Sequence, residues 1–496
     1  MNAVQREFLR RLEQVPVHGL GLSVDVYSPD LSSLLGSLRR RQVLPAYMEV
    51  FRATPAALSA VRQRVGDLAL AYHGEGLWLT QPEAVEDPTF RHEVHEVAAH
   101  LRILESAWSN HECATKHMAG YSFGTYLPPL YTPSSAEVVA ANARFVQNQF
   151  DQHCRLASGG SPLVLLEIPP LTYFGAGTLP IPTFFRLVTE QASCGLVLDV
   201  GHLWTLYRYT GAWRTTALAR FVDEFLAEFP VERVVEIHVA GLAVHESCRA
   251  AGAEPTTTVA GDRLPQWTDA HMAPIPPMLF DMLDQILSHP RLTHLRGLAL
   301  EVDTKPVELI VDEFDRFSCR YAAAFAERGE ASEVRSLTGQ AGPPCEEKPV
   351  SGAARQSLRE AYELYARVLS GRAQPNGAEW KGPCAHLDEL EQYRSTYLPY
   401  EILHWGGEIE AMFPESCRRL TEQAIPLAKF VSFWFREPRP VKSAYDFFLL
   451  KIERFIEFAC EEMPELAGVV EREAGELRHA YSSANEPPIP AASETR

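Results

Sequence analysis

Eight short apolar runs recur through the first part of this 496-residue chain, and a stretch with helical spacing follows each one. The runs are Gly19–Ser23, Pro45–Phe51, Asp67–His73, Ile103–His111, Pro162–Glu167, Cys194–Asp199, Val234–Gly241 and Gly297–Asp303. Runs this short and this uniformly apolar read as strands covered on both faces. The helical stretches include Leu31–Arg41, Thr54–Val65 (Thr54 as N-cap, Pro55 in the first turn), Pro88–Leu101, Ser134–Cys154, Pro182–Ala192, Ala217–Phe229, Pro276–Leu287 and Val307–Phe325. Strict alternation of this kind predicts an α/β chain folded as a (β/α)8 TIM barrel over residues 1–327, with its chemistry at the carboxyl ends of the strands.

The remaining residues change character. Residues 328–355 are polar, with Gly342-Pro-Pro344 in the middle, and read as a linker. Residues 356–485 read as a second, mostly α-helical C-terminal domain with helices at Leu358–Leu369, Leu387–Tyr393, Tyr400–Met412, Cys417–Phe435, Ala444–Met463 and Ala467–Tyr481. Residues 486–496 read as a disordered tail. The loop Tyr121–Tyr131, rich in Pro and aromatics, reads as a lid or pocket wall.

Composition excludes several classes. A hydrophobic fraction of 46% and a charged fraction of 22% belong to a folded globular chain. The formal net charge of −18 argues against a nucleic-acid partner, which needs basic surface to displace counterions. No apolar segment is long enough for a membrane span and the N-terminus is charged, so a cytoplasmic location is expected. Nine cysteines stand singly with no CxxC pair, which fits neither a disulfide framework nor a zinc knuckle.

The strand ends, and the loops after them, carry His73, His111, Glu167, Asp199, His202, His238, Asp269, His271 and Glu301, with Glu49 as an additional carboxylate on the second strand. Each has an ordinary alternative: a hydrogen-bonded wall histidine, a salt-bridged core acid, or, for His202, a cap on the following helix. Together they are too many ionisable groups for one barrel rim unless paired or metallated. Imidazole and carboxylate without thiolate suit iron, manganese or zinc, and their number suggests more than one ion.

The motifs His73-Gly, Ser109-x-His111, Leu-Leu-Glu167, Leu-Asp199-Val-Gly-His202-Leu, Ile-His238-Val-Ala-Gly241, Asp269-x-His271 and Leu-Glu301 resemble, in order, those of the multinuclear non-haem iron-dependent oxidative enzymes. The chain departs from that pattern at Asn110, where the family commonly has Glu, at Ile168, where it has Asn, and at His202, where most members have Asn. The resemblance implies a barrel holding two or three iron ions that uses dioxygen to modify a ribosomally made precursor peptide at Cys, or at Asp or Asn. It implies metal ligands at His73, His111, Glu167, Asp199, His202, His238, Asp269, His271 and Glu301, with Asp199, His202 and His238 closest to the chemistry. Members of the family work with a partner protein that presents the peptide. The aromatic helical segments around Tyr397-Leu-Pro-Tyr400, Met412-Phe-Pro414 and Phe430–Phe435 are similar in character to such a partner, so a fused partner and a simple helical cap are both open. A xylose-isomerase-like divalent-metal isomerase, epimerase or hydrolase is the alternative reading of the barrel, and a peptide-binding scaffold with a relict site is a third.

Overall fold

The computed structural model describes residues 2–157, 159–170, 176–244, 267–333, 350–373, 391, 393–404, 407–439 and 446–484. Eight parallel strands close into a barrel: β1 (Gly19–Val24), β2 (Tyr47–Phe51), β3 (Ala69–His73), β4 (Trp108–Glu112), β7 (Leu163–Glu167), β8 (Gly195–Asp199), β9 (Val234–Val239) and β12 (Gly297–Glu301). Their order around the barrel is β1-β2-β3-β4-β7-β8-β9-β12, with β12 returning to β1. This is the TIM barrel expected from the alternation. Two antiparallel pairs stand outside it, β5 (Thr115–Met118) with β6 (Tyr121–Leu127) and β10 (Leu242–Val244) with β11 (Trp267–Asp269).

The lumen is filled from below. Tyr47, Trp108, Leu163, Leu165, Val197, Val235 and Ala299 pack together with Phe8, Leu12 and Val15, the first two from an N-terminal helix, Ala3–Leu12, which plugs the amino end. That helix was not anticipated. Room for Tyr47 comes from Gly21 on the neighbouring strand, where a Cβ would stand 2.3 Å from the tyrosine ring. Above this apolar floor the inward positions turn polar, with His, Asp and Glu taking the next places on the strands.

Several boundaries differ from expectation. The helix before β4 runs over Pro88–Leu104, so the strand starts at Trp108 rather than Ile103. The stretch expected as a lid loop instead supplies β6 of the first hairpin. A helix at Val200–Tyr209 follows β8 directly, ahead of the expected one at Leu218–Glu228. The closing helix continues to Glu333, and the next begins at Gly352, inside the span read as linker. Residues 334–349, Gly342-Pro-Pro344 among them, lie outside the described residues, as do residues 387–390 and the tail 486–496.

The C-terminal region is helical. Cys417–Phe435 is two helices, Pro414–Glu422 and Ala428–Trp434, because Ala424 takes a left-handed φ of 57° and Pro426 cannot continue the ladder. This region shares one core with the barrel hairpin: Met118, Tyr121, Phe123 and Leu127 pack among Tyr393, Phe430, Trp434 and Phe435. Trp434 donates its indole N–H to the Ser122 carbonyl at 2.8 Å, and Tyr362 donates its hydroxyl to the Thr80 carbonyl at 3.0 Å.

Candidate metal centre

Parallel register sets which side chains meet. Ser23 pairs with Glu49 and with Glu301, Glu112 with Glu167, and Asp199 with His238, so these inward residues share one layer at the carboxyl end. Two groups result. Glu49, His73, His238 and Glu301 bring one ligand atom each within 4.8 Å of one another, and Glu167, Asp199 and His202 do the same. All seven are buried.

Glu167 joins the groups. Its Oε2 lies 3.3 Å from His73 Nε2, and its Oε1 lies 3.5 Å from both His238 Nδ1 and His202 Nδ1. Asn110 donates to Oε2 at 2.6 Å and so fixes the carboxylate plane. His238 is the centre of the other group, 3.2 Å from Glu49 Oε1 and 3.2 Å from Glu301 Oε1. Ser23 Oγ donates to Glu49 Oε1 at 2.9 Å.

The Asp199-Val-Gly-His202 spacing has a local cause. Asp199 is the N-cap of the helix Val200–Tyr209 and accepts the His202 backbone N–H at 2.5 Å, which places His202 in the first turn on the same side. The capping alternative and the ligand reading are therefore compatible. His202 Nδ1 also lies 2.9 Å from the Ile168 carbonyl.

The remaining candidates divide. His271 joins from its loop, with Nε2 3.4 Å from Glu301 Oε2 and Nδ1 3.0 Å from Asp303 Oδ2. The Asp269 side chain lies outside the described residues. His111 stands apart from both groups. Trp108 sits in the lumen floor and Asn110 reaches Glu167, so strand alternation turns Ser109 and His111 towards the helix layer. There His111 Nε2 lies 2.9 Å from Ser109 Oγ, and its ring covers Gly74, where a Cβ would be 2.0 Å away. Burial, aided by His73 and Arg52, pushes the His111 imidazole down to about 3.

Three acids gain weight that the sequence reading did not give them. Glu49 is a full member of a ligand group. Glu112, the next inward residue of β4 after Asn110, is pushed up to about 7 by burial, against the pull of His73. Glu236, two residues before His238, accepts the Tyr47 hydroxyl at 2.6 Å and is pushed up to about 8 by burial and Glu49. Counting back by two from His238 would have found Glu236, whereas Glu112 follows only once Asn110 is seen to reach Glu167.

The electrostatics suit a cation. Burial alone would lower His73, but Glu112, Glu167 and Glu49 outweigh it and push the imidazole up to about 10. His238 is likewise raised: its burial is outweighed by Glu49, Glu167 and Glu301. Glu49 and Glu167 are lowered, burial being outweighed chiefly by His238. Both ring nitrogens of His238, Nδ1 of His73, and one oxygen each of Glu49, Glu167 and Glu301 are buried without a hydrogen bond. Unmet polar atoms at this depth are costly. Nearby basic side chains are engaged elsewhere: Arg52 with Glu93, Glu96 and the Glu75 carbonyl, and Lys305 with Glu313 at 2.6 Å. Metal ions with nitrogen and oxygen preference would satisfy these atoms, so the residues fit the metal implied by the motifs.

A cleft of about 650 Å³ opens at the seam between the barrel and the helix Gly352–Leu369. Trp78, Phe90, His117 and Tyr362 line it, together with the acids Glu83, Asp87, Glu93 and Glu363 and with Arg359. Its barrel side starts at Gly76, three residues beyond His73.

Comparison with known proteins bears on the barrel. A UPF0276 protein of Paraburkholderia phytofirmans is 28% identical over 190 residues, covering 37% of this chain and 52% of that protein. Another, from Rhizobium meliloti, is 26% identical over 203 residues, covering 39% of this chain and 55% of that protein. The chain thus spans about half the length of these curated relatives. Among solved structures, endonuclease IV from Thermus thermophilus aligns with a TM-score of 0.35 at 16% identity, over 62% of this chain and 99% of that one. The family described as RiPP precursor modification enzyme MbnB/TglH/ChrH matches residues 19–318, from the first residue of β1 into the closing helix, which is more than half of the chain. Since that match takes in every strand that supplies a lumen acid or imidazole, the chain belongs to the MbnB/TglH/ChrH family of RiPP precursor modification enzymes.

Proposed function

We propose that this protein is a multinuclear non-haem iron oxygenase that uses dioxygen to modify a Cys, Asp or Asn residue of a ribosomally synthesised precursor peptide. The observation that carries the proposal is Glu167, one buried carboxylate facing His73, His202 and His238, which links two imidazole–carboxylate groups into one centre. His73, Glu167, Asp199, His202, His238, His271 and Glu301, joined by Glu49, would hold two or three ions; Asp269 follows from the motif. Iron bound there supplies redox capacity towards dioxygen and Lewis acidity for a substrate anion.

The protein's own part is positioning and exclusion. Asn110, Ser23 and the helix start at Asp199 orient Glu167, Glu49 and His202. Phe51, with its ring 4.5 Å from that of His73, narrows the mouth on one side. The helical C-terminal region takes the place of a separate partner protein, and the seam cleft, with aromatic walls and four acids against one arginine, is where it would hold the peptide. Among the described residues no helix is long and apolar enough to cross a membrane.

The test is purification without oxygen, elemental analysis, and oxygen uptake with the peptide encoded by a short reading frame beside the gene. Iron at two or three per chain with peptide-dependent oxygen uptake is the expected result. Zinc or manganese without iron, and no oxygen uptake, would turn the reading towards a divalent-metal isomerase, epimerase or hydrolase.

A further inference from the structure

His271 is the ligand candidate whose placement needs explaining, because it is carried by a loop rather than a strand. That loop is tied down on both sides. Ala270 donates its N–H to the Gly241 carbonyl at 3.0 Å, and Ile275 donates to Glu313 Oε1 at 2.8 Å. Glu313 is itself held by Lys305, whose Nζ donates to Oε2 at 2.6 Å. The backbone is fixed, but the ring could still turn about its side-chain bonds.

Asp303 removes that freedom. It lies two residues beyond Glu301, on the same side of the chain, and its Oδ2 is 3.0 Å from His271 Nδ1. The other ring nitrogen, Nε2, is 3.4 Å from Glu301 Oε2, an oxygen that has no hydrogen bond. A neutral imidazole carries one proton. With that proton on Nδ1, directed at Asp303, Nε2 presents a lone pair towards a carboxylate oxygen. Two acceptors facing each other repel unless a cation lies between them. A carboxylate behind the far nitrogen of a metal-binding histidine fixes both the tautomer and the ring plane.

We propose that Asp303 is the positioning residue for His271: it accepts the Nδ1 proton and so aims Nε2 at an ion shared with Glu301. This rests on the metal-centre reading of the site but not on the identity of the peptide or the oxidation performed.

The experiment is anaerobic titration of the chelator-treated full-length chain with Fe(II), read as bound iron per chain and by Mössbauer spectroscopy. Asp303→Leu, matched in shape but without an acceptor, is expected to weaken one ion by about 10- to 100-fold, the range found for outer partners of metal-bound histidines. Asp303→Asn, whose amide oxygen still accepts from Nδ1, is expected to retain that ion with its Mössbauer doublet unchanged. His271→Ala should lose the same ion, and Asp303→Leu/His271→Ala should lose no more than His271→Ala alone, since the effect of Asp303 passes through His271. A Leu variant with wild-type iron affinity and spectrum overturns the proposal, as does a double variant that loses more, which would make Asp303 a ligand in its own right. Should the Leu variant fail to fold, a changed doublet in Asp303→Asn is the overturning result. Failure of the wild-type chain to bind iron would instead overturn the reading of the centre.

Discussion

A carboxylate that is 1% exposed and faces three imidazoles can be tolerated in a barrel lumen only if positive charge is supplied, by protons or by metal. Glu167→Gln keeps the shape and removes the charge at the junction of the two groups, so it should cost metal from both. Asp199→Asn should cost metal from one. Iron per folded chain, measured side by side, should therefore fall further for Glu167→Gln, and equal losses would mean that Glu167 serves a single group. Protons compete for the same site. His73, raised to about 10, and His238, also raised, stabilise the metal-free chain below an ordinary histidine value of about 6.5 and cease to do so as pH climbs towards 10. Glu112 and Glu236, raised to about 7 and 8, act in the same direction at lower pH. The chelated protein should thus melt at progressively lower temperature from about pH 7 to about pH 9.5. Iron affinity should rise across that window, because fewer protons must leave. A chelated protein whose melting temperature is flat over this range would count against the charge balance described. His73 and His238 were legible from sequence as strand residues at the carboxyl end, whereas the parity of β4 was not. A strand buried on both faces gives no apolar–polar alternation to say which side is the lumen, so His111 was read as facing it and Glu112 was passed over, the reverse of the parity that Asn110 shows by reaching Glu167.

At the scale of elements, the β5–β6 hairpin is what the alternation of strands and helices did not announce. Tyr121-Ser-Phe123 has the period of a strand, but the prolines that follow Leu127 made the segment look like irregular chain. Its function becomes visible only from contacts more than 300 residues away, such as the 2.8 Å bond from Trp434 to the Ser122 carbonyl. Phe123 is fully buried, with its ring 5.5 Å from that of Phe435. Phe123→Ala should cost about 3–5 kcal/mol at that junction, as large-to-small changes in packed cores do. Limited proteolysis should then release the helical region while the barrel keeps its capacity to bind metal. Retained resistance to protease would mean that the salt links from Arg355 to Glu86 and from Arg359 to Glu83 hold the seam without the hairpin. The two-helix break at Ala424 was equally hidden, since a single left-handed residue leaves no mark in the apolar spacing on either side.

For the whole molecule, sequence alone indicates a barrel, a polar linker and a separate helical domain. The shared core argues otherwise. Removing everything after Gly342 would uncover Met118, Tyr121, Phe123 and Leu127, and would leave the Thr80 carbonyl without the Tyr362 hydroxyl. An exposed apolar patch of that kind marks an interface deprived of its partner and promotes association. The candidate ligands lie on β2, β3, β7, β8, β9, β12, the helix start after β8 and the loop carrying His271, and no described residue of the helical region is among them. The truncated chain should therefore self-associate and melt at lower temperature, yet the fraction that remains monomeric should carry the same iron per chain. Peptide affinity should vanish with the seam cleft. A subtler change separates binding from packing: Glu363→Lys reverses one acid on the cleft wall without touching the shared core. If the cleft receives a basic peptide segment, this variant should keep its melting temperature and iron while binding the precursor peptide about tenfold more weakly or worse, measured by calorimetry. Unchanged affinity would place the peptide elsewhere and leave the helical region as a cap on the barrel.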